Sequence, residues 1–381
     1  MKTTVDLAAF KSALNTVRGA VASRTALPIL ANVLIDADGD RLTLRATDLK
    51  VAVSRHLNAD IDEPWQAAVD ARLLWEFVAN LPDTGSVTIT LDHQRFSLRL
   101  KSGGNDARFN GTDPRDYPTL PSLKPEVPTF TVPAEVLGRA LRLVPIGAAQ
   151  DESRPVLAGI SFRADGSDLA FAASDGFVMA HYAVPVEGLP ATLDILPPAT
   201  TLAVLAGILP PDGDVTVQVA ANRSHVIFAW GDTVWSSQLI EGTFPDIRQV
   251  IPREHRTRIE LDGDILHRAV KLAQAFAQDN NRVIRFAGTP SADDLTPGTL
   301  KIHGHAAERG EGESLLDVVY EGDPIEIAFD AKYLLAVLRA MNGGGRVALA
   351  TNGKDQAGKL GGSAAPGFTF VMMPMTIKER V

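Results

Sequence analysis

Residues 353–359 read Gly-Lys-Asp-Gln-Ala-Gly-Lys, the first seven positions of a phosphate-binding glycine loop. In such a loop backbone N–H groups cradle phosphate, the lysine neutralises it, a following Ser or Thr holds Mg²⁺, and a helix begins. Here Leu360 replaces the hydroxyl residue and Gly361-Gly362 occupy the place where the helix must start, so the stretch reads as a hairpin loop. Asp36-Ala37-Asp38-Gly39-Asp40 offers the oxygens of a calcium loop. Its glycine stands fourth instead of sixth and Thr47 stands where the closing glutamate belongs, so it reads as a hairpin turn. His303-Gly304-His305, with Glu308 nearby, puts two imidazoles on one face of a strand, a pattern more common in unliganded strands than at metals. Asp293-Asp294 falls in a Ser/Pro/Gly-rich loop and reads as a solvated turn. There is no Gly-x-Ser-x-Gly elbow, no His-Glu-x-x-His and no nucleotide fingerprint. The expectation is no catalytic residue, no metal and no cofactor.

Charge is the chemistry that remains. Six segments with apolar residues at helical spacing cover 8–18, 71–81, 134–144, 199–209, 263–275 and 331–341. They carry nine Lys and Arg, among them Arg72, Arg139, Arg142 and Lys332, against three acids. Their net of +6 leaves −15 on the remainder of a chain whose total is −9. Either these cations sit on ordinary solvated helix faces, or repetition turns them to one side. In the second case a basic surface on an acidic body follows a phosphate backbone without reading bases. Two apolar stretches are also unassigned, 172–179 (Ala-Ala-Ser-Asp-Gly-Phe-Val-Met) and 368–375 (Phe-Thr-Phe-Val-Met-Met-Pro-Met). Each is either core strand or a surface whose pliant methionines accept apolar anchors.

The elements that must position these residues repeat. Val5-Asp6-Leu7-Ala8-Ala9-Phe10 is echoed from Val132 and again from Leu261, offsets of 127 and 129 residues. A second echo links the segments at 71, 199 and 331. So long a period denotes tandem domains, not a solenoid. Between the helices the period falls to two, as in 41–47, 86–91 and 214–219, with Asp-Gly turns before such runs. The fold class is α+β: three tandem domains at 1–124, 125–254 and 255–381, each with two helices and antiparallel sheets. Proline-rich joints at 114–128 and 252–256 are the linkers. The 381 residues are 45% hydrophobic and 22% charged, contain no cysteine, and begin without a signal-like apolar run. A cytoplasmic protein without membrane attachment is expected.

With these features the chain resembles the bacterial sliding clamp family, the β subunits of DNA polymerase III. The resemblance spans the whole length and is carried by Arg24-Thr25-Ala26-Leu27-Pro28-Ile29-Leu30, by Ala173-Ser174-Asp175-Gly176, by Glu241-Gly242-Thr243-Phe244-Pro245-Asp246 through Val250-Ile251-Pro252, and by Val371-Met372-Met373-Pro374-Met375. It implies DNA-clamp domains forming half of a six-domain ring, a head-to-tail homodimer around duplex DNA held without sequence preference. Family DNA contacts fall on Arg24, Arg72 and Gln150, and the dimer seam on Phe109, Ala275 and Phe276. The resemblance further implies a hydrophobic groove for short linear motifs of polymerase subunits, clamp loader and repair proteins. Its matching positions are Leu157, Ser174, Gly176, Phe177, Val178, Met179, Pro245, Val250, Val371, Met372, Met373, Pro374 and Met375. Departures are visible: Phe177-Val178 stands where many relatives have His-Arg, the 150–156 loop lacks a tyrosine pair, and 199–201 lacks the cation found at Arg72 and Lys332. Residues 378–381 extend past the family's usual end. A plasmid- or phage-type clamp paralogue, or a phosphate-binding enzyme using 353–359, is the alternative.

Overall fold

The structure is a computed structural model that describes every residue except 152, 278–281, 292, 294, 295, 307, 309, 342, 343 and 377–381. Asp294 and the extension at 378–381 therefore lie outside the described residues. The first module runs β1 (Lys2–Asp6), α1 (Leu7–Arg18), β2 (Asn32–Asp38), β3 (Arg41–Thr47), β4 (Val51–Asn58), β5 (Asp60–Ile61), β6 (Trp65–Asp70), α2 (Ala71–Ala79), β7 (Ser86–Asp92), β8 (Ser97–Ser102), β9 (Asn105–Phe109) and β10 (Gly111–Thr112). The second repeats the order as β11 (Thr129–Pro133), α3 (Ala134–Leu143), β12 (Ser161–Asp165), β13 (Asp168–Ser174), β14 (Val178–Pro185), β15 (Asp194–Ile195), α4 (Ala199–Ile208), β16 (Asp214–Val219), β17 (His225–Trp230) and β18 (Thr233–Gln238). The third is β19 (Thr257–Asp262), α5 (Gly263–Gln274), β20 (Val283–Thr289), β21 (Gly298–Ala306), β22 (Gly310–Gly322), β23 (Ile325–Asp330), α6 (Ala331–Ala340), β24 (Arg346–Thr351), β25 (Gly358–Gly361) and β26 (Phe368–Met372). Strand, helix, three strands, then strand, helix, three strands: each module holds the pattern twice.

Local chemistry sets the strand-to-helix corners. Asp6, Asp70, Asp262 and Asp330 each end a strand and accept a hydrogen bond from a backbone N–H in the first helical turn. A carboxylate there satisfies an amide that the helix cannot. The middle module has Pro133 and Pro198 at the matching corners instead. Each helix then buries one stripe, as with Phe10, Ala13, Leu14 and Val17 on α1, and rests on the apolar face of the strands.

Contacts divide the chain into two compact units, Met1–Gly138 with Thr200–Leu239, and Arg139–Ala199 with the chain from Ile240 onward. The middle module is shared between them because each of its sheets continues into a neighbour. In the first unit β4 pairs with β18, from Val51↔Ser237 to Arg55↔Thr233, closing the nine-stranded order β10-β6-β2-β3-β4-β18-β17-β16-β11. A separate sheet runs β5-β1-β7-β8-β9. In the second unit β14 pairs with β26, from Val178↔Met372 to Tyr182↔Phe368, within the order β15-β12-β13-β14-β26-β25-β24-β19-β22-β21-β20-β23. The rule is the same at both seams: the last strand of one module's first triplet pairs with the final triplet strand of the next module. Among the described residues no helix is long and apolar enough to cross a membrane.

Two glycines from the rejected motifs owe their identity to close packing. A Cβ at Gly304 would lie 2.0 Å from the Ala273 carbonyl oxygen, where β21 passes the end of α5. One at Gly358 would lie 2.4 Å from the Phe329 ring. Position 358 opens a strand, so 353–359 is a turn running into β25 and no helix follows it. The 36–40 segment is the β2–β3 hairpin, with Gly39 at φ +59°. His303 lies 3.2 Å from the Glu311 carboxylate across β21 and β22.

Candidate functional site

The two apolar stretches meet in the second unit. At the end of β13 the 174–178 turn is locked by its own side chains. Asp175 Oδ1 accepts from the N–H groups of Phe177 (2.8 Å) and Val178 (2.9 Å), and the Ser174 hydroxyl donates to the Val178 carbonyl (2.8 Å). Gly176 takes φ +95° at the apex, a conformation that penalises any Cβ. Tyr333 donates its hydroxyl to Asp175 Oδ2 at 2.6 Å, and Arg154 donates to the Asp175 carbonyl at 3.1 Å. Burial, and then the adjacent Asp175 carboxylate, push the Tyr333 hydroxyl above its ordinary pKa and keep it a donor. The turn holds Phe177 outward, 67% exposed.

Beside it β26 ends. The Met373 N–H donates to the Phe177 carbonyl (2.9 Å) and the Met375 N–H to the Ala328 carbonyl (2.8 Å), which lays 373–375 along the surface. Met179 and Val371 stand directly opposite each other across β14 and β26. With Leu157, Ala172, Leu196, Phe244 and Ile247 they form one buried apolar cluster. Phe177, Val250 and Met373 are among the few large apolar side chains left exposed. Pro245 is exposed, and Pro374 and Met375 are half-buried. A buried floor under exposed apolar residues is an arrangement that accepts an apolar chain segment.

Strand alternation corrects two members of the sequence-derived set. Val178 and Met372 also pair directly, one residue along from Met179 and Val371, so their side chains, 4% and 2% exposed, point to the opposite face of the sheet. They contribute backbone, not side chains. Of the pair Phe177-Val178, it is Phe177 that reaches the surface.

The strand edges form a second candidate surface. β4 and β14 have partners in the next module, whereas β22, the corresponding strand of the third, pairs within its own module, with β19 along 319–322 and, among the described residues, with β21 alone along 310–318. β9, the counterpart of β18 and β26, pairs with β8 alone among the described residues. The helices repeat the asymmetry. A Cβ at Gly19, after α1, would meet Val204 of α4 at 2.9 Å. Arg142 of α3 donates to the Ala340 carbonyl of α6 at 3.1 Å. By the same rule α5 and α2 each lack a counterpart, and each exposes leucine: Leu272 is 65% exposed and Leu73 53%. Ala275 is exposed, and the Phe276 ring lies against β22, 2.5 Å from where a Cβ at Gly312 would stand. Phe109 is 3% exposed and packs edge-on against Phe77 at 5.7 Å, so its side chain lies in its own module's core. The sequence reading missed Leu272 and Leu73. Ile265 and Leu272, seven residues apart on α5 and outside its buried stripe, were the legible signal.

The helical cations are placed individually. Arg72 is exposed and bound to Glu76 at 2.9 Å, Lys11 is bound to Asp83 at 2.8 Å, and the Arg18 guanidinium lies over the Trp75 ring at 3.6 Å. Among the described residues, Lys11 and Arg72 are therefore the two of the nine cations that are ion-paired. Arg142 and Lys332 are exposed, the latter 5.5 Å from the Tyr333 ring, and Arg139 is half-buried. Arg24 and Gln150 are exposed on loops. α4 carries no charged residue.

Comparison with known proteins agrees with this architecture. Models for the N-terminal, central and C-terminal domains of the DNA polymerase III beta subunit match residues 1–121, 131–246 and 248–376. The beta sliding clamp of Escherichia coli K12 is 28% identical over 381 residues, covering 99% of this chain and all of that protein. That of Caulobacter vibrioides NA1000 is 29% identical over 344 residues, 88% of this chain and 90% of the relative. The crystal structure of the Pseudomonas aeruginosa DNA polymerase III subunit beta matches with a TM-score of 0.89 at 27% identity, over 99% of this chain and all of that one. The Bacillus subtilis sliding clamp shows the same fold, with a TM-score of 0.90 at 22% identity over the same shares.

Proposed function

Because this chain belongs to the DNA polymerase III β-subunit family of sliding clamps, processivity factors that are not catalytic enzymes, we propose that two copies join head to tail into a ring that encircles duplex DNA. The observation that carries this is that β9 ends its sheet and that the 310–318 stretch of β22 pairs, among the described residues, with β21 alone. Two seams inside the chain follow one rule, and the rule leaves one unfilled position of each kind, β22 with α5 and β9 with α2. Edges of this length invite pairing with another chain, and two heterologous contacts close a dimer when the rotations match. Phe276 and Ala275 on one side and the β9 backbone at Phe109 on the other are the seam residues.

Inside the ring, Arg24, Arg72, Arg139, Arg142, Gln150 and Lys332 supply the DNA-facing contacts. Phosphate contacts of this type are sequence-blind and weaken with salt, so the ring slides, and topology rather than affinity retains it. The groove built on Leu157, Met179 and Val371, with Phe177, Pro245, Val250 and Met373 at its surface, captures short linear motifs of polymerase subunits, clamp loader and repair proteins in the bacterial cytoplasm. The three repeats are three clamp domains divided near residues 124 and 254. Retention tests the ring. Protein placed by a clamp loader on nicked circular DNA stays bound at high salt and is released once the circle is linearised. Equal rates of loss from circular and linear DNA refute encirclement.

A further inference from the structure

The groove floor continues sideways across the sheet into charge. Lys359 stands directly opposite Val371 on β25 and β26, as Val371 stands opposite Met179. The row goes on through Ala350 to Arg258. Opposed residues place their side chains on one face about 5 Å apart, so Lys359 is the immediate neighbour of the apolar floor. Beyond it lies a depression of about 210 Å³ bordered by Pro252, Glu254, His255, Arg258 and Lys359. Its base is of small residues, Ala348, Ala350 and Gly361. Two further chain runs join groove to depression: Ile251, which packs against the apolar cluster, precedes Pro252, and Ala357, which packs there too, stands two residues before Lys359.

The cations here are not equivalent. Arg258 is held by Glu260 at 2.7 Å. Lys359 is half-buried, and its Nζ donates to the Pro252 carbonyl at 3.4 Å. No carboxylate of the described residues lies within 4.0 Å of it. A partly desolvated ammonium with one long neutral hydrogen bond gains more from a carboxylate than a fully solvated lysine does.

We propose that Lys359 is an acidic-residue subsite of the peptide groove: a peptide anchored on Met179 and Val371 places a Glu or Asp carboxylate on Lys359 Nζ. The inference rests on the groove reading above and adds the chemistry of the flanking position. A single carboxylate fits better than a phosphate. Arg258 is already paired with Glu260, and Glu254 on the rim opposes a second negative charge. The lysine that ends the phosphate-loop-like stretch thereby acquires a role that has nothing to do with nucleotides.

The test is a thermodynamic cycle on the full-length protein. Fluorescein-labelled decapeptides share a two-leucine anchor and carry Glu or Gln at one of the two positions on either side of it. Fluorescence anisotropy then measures each against the wild type, Lys359→Gln and Lys359→Arg. At one position the Glu peptide binds wild type about 3- to 10-fold tighter than its Gln partner. The advantage shrinks with added salt, disappears in Lys359→Gln and returns in Lys359→Arg. A Glu preference that survives in Lys359→Gln, or no preference at any position in wild type, overturns the subsite. The Gln-peptide affinity reports on the groove by itself, and absence of binding by every peptide overturns the groove reading and this proposal with it. Inorganic phosphate competing with the Glu peptide in wild type but not in Lys359→Gln overturns the choice of a carboxylate over a phosphate.

Discussion

Replacing Leu272 by Ala tests the ring at a position the isolated chain does not need. Leu272 is 65% exposed on α5, outside the buried stripe of that helix. Its loss therefore changes the stability of the separate chain by no more than about 0.5 kcal/mol. If α5 packs against α2 of a second copy, that exposed surface is buried on assembly. Full burial of a leucine contributes about 1.5–3 kcal/mol, and two-thirds of that is about 1–2 kcal/mol. A head-to-tail dimer has two equivalent seams, and each contains one Leu272. The loss counts twice, about 2–4 kcal/mol, and the dimer Kd rises about 30- to 1,000-fold. Sedimentation velocity across a concentration series measures that Kd, and thermal unfolding of the variant under monomeric conditions provides the control. A Kd within about threefold of wild type places α5 away from the seam. A large loss of monomer stability removes the premise that Leu272 is free of the core.

The groove and its neighbouring histidine give two further expectations. Phe177→Ala leaves unfolding within about 0.5 kcal/mol of wild type and weakens peptides about 5- to 30-fold. Val371→Ala, at a side chain 2% exposed, costs about 1.5–3 kcal/mol of stability. Urea unfolding and anisotropy separate the two, and equal stability losses in both variants contradict the division between floor and rim. His181 lies on the floor face of β14, two residues past Met179, and burial lowers its pKa, with the nearby Asp165 acting in the opposite sense and Arg248 reinforcing burial. With the folded pKa below 6.5, the unfolded chain takes up the proton first. The neutral form's contribution is complete above pH 6.5 and is lost as pH falls from there through the depressed value. His181→Gln should therefore lose less stability than wild type between pH 7.5 and 5.5, and parallel urea midpoints for the two proteins across that range contradict the assignment.

What the sequence disclosed and what it concealed divide along physical lines. The helices and strands of all three modules were readable because periods of 3.6 and 2 are local, and the repeat followed by comparing segments. The corners formed by Asp6, Asp70, Asp262 and Asp330 are equally local. The seams are not. That β4 pairs with β18 across some 180 residues, Arg55 bonding Thr233 at 2.7 Å, is fixed by packing that no window of residues contains. Side-chain direction around the groove was hidden for a related reason. The sequence-derived residues run Gly176, Phe177, Val178, Met179 without a break, but the Asp175–Gly176 turn sets the register of β14, and one residue of register separates Met179 in the floor from Val178 on the reverse face. The inward turn of Phe109 to Phe77 is hidden from the sequence for the same reason.

The repeat explains more than architecture. A chain of like modules joined by like seams always ends with one unfilled position of each kind, here β22 with α5 and β9 with α2. Such ends permit filaments as readily as rings, and closure requires the rotation per module to be a whole fraction of a turn. The seams must then be alike in geometry even where their residues differ, as they do here: Gly19 against Val204 in one, Arg142 against the Ala340 carbonyl in the other. The proposed peptide groove, by contrast, lies where the modules differ. The Asp175 turn itself recurs at Asp48, which accepts from the N–H groups of Lys50 and Val51, but the exposed Phe177, the Met373–Met375 segment and Lys359 all lie around one seam, β14 with β26. At the matching turn before β4 the place of Phe177 is taken by Lys50, with Leu49 exposed beside it. A tandem protein can hold its geometry constant by repetition and specialise one joint by substitution, because side chains on the outer sheet face vary without disturbing the backbone pairing that closes the seam.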